Sequence, residues 1–436
     1  MTLPYQSIVC LAAGAIVILA LVQPLSSRPA TVAWIGVLAA VGCGALGFVY
    51  ASGIPQLVTY AVGGFLLVAV GLAPALELEI KEQRPEVVAL LLLAGAGAIG
   101  LAAGGDLLQL TVSMETLSLS AALLVVLGRG PVLTEAAFKY FLLAAVSMAS
   151  LLYGLGLVYL STGSFAFPAL SAHPSALLVG GLVLMTAGFA FELALVPLHW
   201  GALDVYTSGP PAVAGAIMAL SKLGAVVAII RLAPAAGAHY LFVLAMVGLL
   251  SAVWATACAL LQREVRRLLA YSAVAHAGLL AMGIGSGVAG RQAAIFYVIA
   301  YGATALLVFS ALAGLGPEPI PFADLPRRIG AARTIALVLG LMSLAGVPPL
   351  PGFWAKLALF RPAWQVLGPV PTAIGIGTAV AAAVYYLNPV PDLWNSLRLP
   401  DVAGRPGLNP GVLLAGLFVA ILTVVPGFLW AMSSLQ

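Results

Sequence analysis

Long blocks of apolar residues, bounded by charged, proline or glycine-rich breaks, make up almost the whole chain. They fall at about 7–25, 31–50, 56–76, 86–104, 106–127, 136–160, 174–199, 211–232, 239–261, 267–286, 291–315, 332–364, 368–388 and 410–432. A bilayer crossing takes roughly 20 apolar residues as a helix. The pattern therefore predicts an all-α polytopic membrane protein of about fourteen transmembrane helices, built as one membrane domain. The first block has no basic stretch before it and is followed by many like it, so it reads as a retained helix and not a signal peptide.

Composition sharpens this picture. Apolar residues are 63% of the 436, charged residues are 7%, and mean hydropathy is +1.14, values that exclude a soluble globular domain. The net charge of +4 then reads as membrane topology, not as a surface for acidic partners, and no nucleic acid partner is expected. Cys10, Cys43 and Cys258 lie singly in separate apolar runs. They have no paired spacing for a metal, a cluster or a disulfide, and no cofactor is expected in this chain. A phosphate-binding loop, a dinucleotide fingerprint and a Ser/His/Asp constellation are all missing from the sequence, so chemistry on a bound substrate is not expected.

Sorting basic residues by loop tests the span assignment. After odd-numbered spans stand Arg28, Lys81, Arg84, Arg129, Arg263, Arg266, Arg267, Arg327, Arg328, Arg333, Arg398 and Arg405, twelve in all, against Arg231, Arg291 and Arg361 after even-numbered ones. Cytoplasmic loops carry the excess of Lys and Arg, so both termini are predicted on the non-cytoplasmic side.

Three of the four lysines, Lys139, Lys222 and Lys356, remain inside the spans, whereas loop charge is almost wholly arginine. An ammonium can release its proton when desolvated and a guanidinium effectively cannot, so lysine stands where titration is useful. Lys222 is central in the eighth span, too deep to snorkel, and is read as a relay or as half of a static ion pair with Glu115 or Glu192. Glu115 is near the middle of the fifth span, as a functional carboxylate or a hydrogen-bonded structural one. Lys139 lies a few residues inside the sixth span, and its readings are snorkelling to the cytoplasmic face or function. His276, in the tenth span, is either a titrating group or one hydrogen-bonded in place. His173 and His239 fall in loops and carry no signal.

Prolines mark two breaks. Pro348, Pro349 and Pro351 with Gly352 must interrupt the twelfth span just before Lys356, and Pro197 interrupts the seventh between Glu192 and His199. A helix broken in mid-bilayer survives only where protein or a water-lined cavity satisfies the freed backbone, and such breaks mark ion sites in transporters.

Five stretches in consistent order, from Glu115 to Phe360, resemble the antiporter-like membrane subunits of respiratory complex I, relatives of multisubunit Na+/H+ antiporters and membrane-bound hydrogenases. They are Met114-Glu115-Thr116-Leu117-Ser118-Leu119; Glu135-Ala136-Ala137-Phe138-Lys139-Tyr140-Phe141; Pro197-Leu198-His199 with Asp204-Val205-Tyr206 and Ser221-Lys222; Arg266-Arg267-Leu268-Leu269-Ala270-Tyr271-Ser272, ending at His276; and Ser343 to Pro349 with Gly352-Phe353 and Lys356. The chain's length fits the shortest of these subunits.

The resemblance implies two five-helix inverted repeats, at 86–235 and 236–390, between an N-terminal three-helix segment at 1–85 and a loop with a last helix at 391–436. It implies a subunit of a proton-translocating NADH:quinone oxidoreductase, driven by redox chemistry and quinone binding in neighbouring membrane subunits. Its proton path would run through Glu115, Lys139, Glu192, His199, Lys222, His276 and Lys356. On this reading Glu115 tunes charge, Lys222 relays at the centre, His276 joins the halves and Lys356 hands protons outward.

Glu192 departs from the family, most of whose members carry lysine there. Two nearby carboxylates cannot both ionise cheaply in a low dielectric, and Lys222 or Lys139 is expected to supply the missing positive charge. Asn388 and the segment His199-Trp200-Gly201-Ala202-Leu203-Asp204 also depart from the family pattern. A cation/proton antiporter subunit and a non-pumping structural paralogue are the competing readings.

Overall fold

The computed structural model describes residues 5–21, 27–50, 54–71, 84–127, 131–172, 175–235, 237–316, 318–397 and 410–424. These form a helical membrane protein, and among the described residues the only strand-like features are two isolated bridges, Asp106 with Ala166 and Glu264 with Pro321. Helices follow from the apolar runs, because a backbone in hydrocarbon must satisfy its own donors and acceptors.

In chain order the main helices are α1 (Tyr5–Ala20), α2 (Pro29–Tyr50), α3 (Ile54–Gly71), α4 (Arg84–Ala103), α5 (Leu107–Val126) and α6 (Pro131–Thr162). Next come α7 (Ala176–Leu193), α8 (Trp200–Ser208), α9 (Pro211–Leu232), α10 (Gly237–Leu260), α11 (Val265–Ile284) and α12 (Gly287–Leu312). The last are α13 (Ala331–Ala345), α14 (Pro351–Val366), α15 (Pro369–Leu387), α16 (Val390–Ser396) and α17 (Pro410–Val424). Among the described residues, ten helices are long and apolar enough to cross a membrane, and α1, α2, α13 and α17 contain shorter apolar stretches.

Both predicted breaks are present. The seventh run divides into α7 and α8 around Pro197, and the twelfth into α13 and α14 around Pro348 and Pro349. His239, expected in a loop, stands in the first turn of α10, because the helix already starts at Gly237. His173, Lys81, Arg129, Arg398 and Arg405 lie outside the described residues.

Helices α9 and α12 pack against each other at the centre and are wholly buried over their apolar middle stretches, whereas only 22% of such a stretch in α6 and 28% of one in the segment Pro369–Ser396 is covered. The short α8 packs on both α6 and α11 and so ties the first half of the chain to the second. Many large apolar side chains face outward, among them Trp34, Val146, Leu160 and Val380. An outer face of this kind suits lipid or neighbouring membrane chains.

Candidate functional site

The first broken helix builds one end of the site. Ala194 takes a left-handed conformation (φ 64°), which ends α7, and Pro197 has no N–H with which to resume it. The backbone amide of Val196 donates to Ser251 Oγ on α10 at 3.0 Å. On the carbonyl side, the ammonium of Lys222, wholly buried on α9, donates to the Leu193 oxygen at 2.8 Å. A cation there also meets the negative end of the α7 dipole.

One residue before Leu193, the carboxyl group of Glu192 is 3% exposed. Ser221 Oγ donates to its Oε1, the Tyr140 hydroxyl lies 3.4 Å from both oxygens, and Ser118 of α5 faces the same group. Three helices, α5, α6 and α9, thus surround one carboxyl group with hydroxyls, which meets the demand that a buried charge or acceptor be hydrogen-bonded. Glu192 and Lys222 are electrostatic neighbours without forming an ion pair within 4 Å. Half-buried Glu115 on α5 is the next charge to Glu192.

Aromatic residues connect the two halves. The Lys222 ammonium lies 6.0 Å from the Tyr206 ring centroid, at the outer limit of a cation–π contact. Four residues before Lys222 on α9, Met218 accepts a hydrogen bond at 2.9 Å from the hydroxyl of Tyr301 on α12. The Tyr301 ring in turn lies 4.7 Å from the His276 ring. Both His276 nitrogens are engaged, Nδ1 with the Tyr297 hydroxyl at 2.8 Å and Nε2 with the Tyr386 hydroxyl at 3.1 Å. Ser272, one turn earlier on α11, also bonds to the Tyr386 hydroxyl.

The second break repeats the first in its chemistry. Gly346 (φ 90°) ends α13, and the Lys356 ammonium from α14 donates to the carbonyls of Leu344 at 2.8 Å and Ala345 at 3.0 Å. Ser343 supports the break, with its Oγ 3.1 Å from Thr304 Oγ1 and accepting from the Gly352 amide at 3.4 Å.

The remaining predicted residues lie apart from this buried line. Lys139 is on the exposed face of α6, paired with Glu135 at 2.7 Å and Asp204 at 3.5 Å, its side chain 51% exposed. Lys222, and not Lys139, is therefore the cation beside Glu192. His199 is buried between α7 and α8, with its ring 4.7 Å from Trp200.

The tyrosines around His276 were absent from the sequence-based site. Tyrosine is common in membrane helices, and only the fold shows that Tyr297 and Tyr386 converge on one imidazole. Among the described residues no group of three or more His, Cys, Asp or Glu is arranged to hold a metal ion.

Buried lysines on the carbonyl ends of two interrupted helices, with a histidine between, belong to a polytopic membrane protein, and helix breaks of this kind mark ion sites in transporters. The family model described as NADH:quinone oxidoreductase/Mrp antiporter, TM matches residues 104–381, and the chain belongs to that family.

The chain is 33% identical over 391 residues to NADH-quinone oxidoreductase subunit N of Deinococcus radiodurans, covering 85% of this chain and 79% of the relative. It is 35% identical over 356 residues to NADH-quinone oxidoreductase subunit 14 of Thermus thermophilus, covering 80% of each. A chain of respiratory complex I from Thermus thermophilus, solved with bound aureothin, superposes with a TM-score of 0.81 at 28% identity over 98% of both chains. A chain of the Mrp complex from Dietzia sp. shares the fold, with a TM-score of 0.82 at 20% identity over 99% of this chain and 97% of that one.

Proposed function

We propose that this chain is a proton-translocating membrane subunit of a redox-driven complex, of the NADH-quinone oxidoreductase subunit N type. The observation that carries the reading is the placement of Lys222 and Lys356 on the freed carbonyls of the two helix breaks, inside the family-matched region. An amine held this way can gain or lose a proton without a large rearrangement of its partners. Protons would pass along Glu115, Glu192, Lys222, His276 and Lys356, with Lys139 and His199 on the approach to Glu192. The electron donor, the redox centres and the quinone belong to partner subunits, and the chain is an enzyme subunit in that sense.

The architecture that goes with this function is fourteen membrane crossings with both termini outside the cytoplasm of a prokaryotic cell. The first three helices (1–85) precede inverted repeats at 86–235 and 236–390, and the segment 391–436 closes the chain. Several paired features support the repeats. Ala194 and Gly346 are both left-handed helix ends, each with a proline three residues on. Asp106 and Glu264 each cap a helix through the side chain, on α5 and α11, and each forms an isolated bridge to a later loop.

A second reading, a subunit of a multisubunit cation/proton antiporter or a membrane-bound hydrogenase, draws on the oxygen-rich surroundings of Glu192. Carboxylate and hydroxyl oxygens suit Na+ as well as H+. A third reading is a non-pumping structural paralogue.

The deciding experiment is Lys222→Ala in the native assembly reconstituted in vesicles. The proposal expects assembly and electron transfer to persist while proton translocation is lost, and a normal proton-to-electron ratio would refute it. Translocation that depends on Na+ and needs no redox partner would favour the antiporter reading.

A further inference from the structure

A groove of about 450 Å³ runs along α1, α4 and α5, lined by Ile8, Ala12, Leu93, Gly104, Val112 and Thr116 among others. Only one half of each helix takes part, the N-terminal halves of α1 and α5 and the C-terminal half of α4, so the groove lies toward one membrane face. From Leu93 to Gly104 it extends roughly 17 Å at about 1.5 Å per residue. That matches the roughly 15 Å of hydrocarbon in one leaflet. Spread over its length, the volume makes a channel roughly 6 Å across, too narrow for a partner helix about 10–12 Å wide. The wall offers little to water. Thr116 Oγ1 donates to the Val112 carbonyl at 2.9 Å, and Gln109 Oε1 accepts from the Gly105 amide at 2.8 Å. Ser113 Oγ presses against Gly100 of α4, where a Cβ has no room. An apolar cavity of this kind stays dry and takes up hydrocarbon.

The end of the groove carries both signs of charge. Asp106 caps α5 through Oδ1, which accepts from the Gln109 amide at 2.8 Å, and its Oδ2 lies 3.5 Å from Gln109 Nε2. Arg231 of α9 donates to the Leu101 and Gly104 carbonyls at the same end of α4. An anion and a cation at one helix end suit the ammonium and phosphate of a zwitterionic headgroup better than a headgroup that is net anionic. We propose that the groove holds one acyl chain of an aminophospholipid of the phosphatidylethanolamine class, with the headgroup ammonium at Asp106. The chain fills the space that α1 leaves beside the α4 and α5 pair. This site stands on the shape and charge of the groove and is independent of the proton-translocating reading.

The test uses the native assembly in vesicles of phosphatidylethanolamine and phosphatidylglycerol. A photoreactive group is placed on the acyl chain of one lipid or the other, and labelled peptides are identified by mass spectrometry. Labelling of residues 93–104 and 108–116 by the phosphatidylethanolamine probe is expected to exceed that by phosphatidylglycerol severalfold. Ala12→Phe fills the groove from α1 and should cut this labelling severalfold. Val17→Phe, at an exposed position of the same helix outside the groove, should leave it unchanged. Asp106→Asn keeps a capping side chain but removes the charge, so it should bring the two probes to equal labelling. An unlabelled groove in the wild type, or full labelling in an assembled Ala12→Phe, would overturn the acyl-chain site. A map of the native assembly with a neighbouring chain's side chains in the groove would do the same. Equal labelling of the wild type by both probes, or an unchanged preference in Asp106→Asn, would overturn the headgroup assignment.

Discussion

Lys222 donates a 2.8 Å hydrogen bond to the carbonyl of Leu193, the last residue of α7, and so closes a helix end that the chain itself leaves open. The contact has two separable parts, a donor for the carbonyl and a proton that can leave. Lys222→Arg keeps the charge and the donors but cannot release a proton. It is expected to assemble and to support no proton translocation. Lys222→Met removes the donor too, and leaving a buried carbonyl unpaired costs about 1–3 kcal/mol. Vesicle proton uptake set against electron transfer, with a thermal unfolding midpoint for each variant, separates the two parts. Normal coupling in Lys222→Arg would make the lysine purely a helix cap.

Glu192 answers a different question, because its neighbours are hydroxyls from Ser118, Tyr140 and Ser221. All three can donate to a carboxylate, an arrangement that favours an acceptor at this position. Glu192→Gln keeps the shape and puts an amide donor against those donors, and it is expected to lower translocation with only a modest effect on assembly. Glu192→Lys brings a second ammonium beside Lys222 with Glu115 as the one neighbouring carboxyl group, and it should be the more damaging of the two. Equal, unchanged translocation in both variants would assign Glu192 a scaffolding role.

The two helix ends differ in what a methyl group does to them. Ala194 already occupies the left-handed region at φ 64°, a conformation that costs an L-residue roughly 1–2 kcal/mol. Ala194→Gly relieves that strain but adds chain entropy of ~0.5–1 kcal/mol to be lost on folding, so stability should barely move. At Gly346, with φ 90°, a Cβ would also stand 3.2 Å from Lys356 Cδ and 3.4 Å from its Nζ. Gly346→Ala is therefore expected to displace the Lys356 head group and reduce translocation by more than its loss of stability explains. Unfolding midpoints and proton-to-electron ratios on the same samples test this, and a loss in proportion to destabilisation would count against it.

Local chemistry made part of this site legible. Proline has no amide hydrogen wherever it stands, so the breaks at Pro197 and at Pro348 to Gly352 could be read before any packing was known. Charge in an apolar run is equally conspicuous, which is how Glu192, Lys222, His276 and Lys356 were found. Lys139 shows the limit of that rule. Which side of α6 meets the rest of the protein depends on α7 and α8, and the structure turns Lys139 outward to Asp204. The hydroxyl partners were hidden for a similar reason. Tyr386 is 110 residues from His276 in sequence, and a tyrosine in a membrane helix carries no mark of which residue it will meet.

Tyr386 is the position where that hidden part of the site can be tested most cleanly. Its hydroxyl bonds both to Ser272 and to Nε2 of His276, while Nδ1 is held by Tyr297. An imidazole held at both nitrogens has its ring orientation fixed, while the hydroxyls, able to donate or accept, can serve either tautomer. Tyr386→Phe removes one hydroxyl and keeps the ring that packs beside Tyr385 at 4.5 Å. The bilayer-facing surface is untouched, so assembly should be preserved. Freed of its Nε2 partner, His276 can rotate, and transfer between the halves should slow. Tyr297→Phe should do the same from the other nitrogen, and the double variant should be little worse than the worse single one, because both act through the same ring. Strict additivity of the two defects in translocation would mean that the tyrosines act independently of His276.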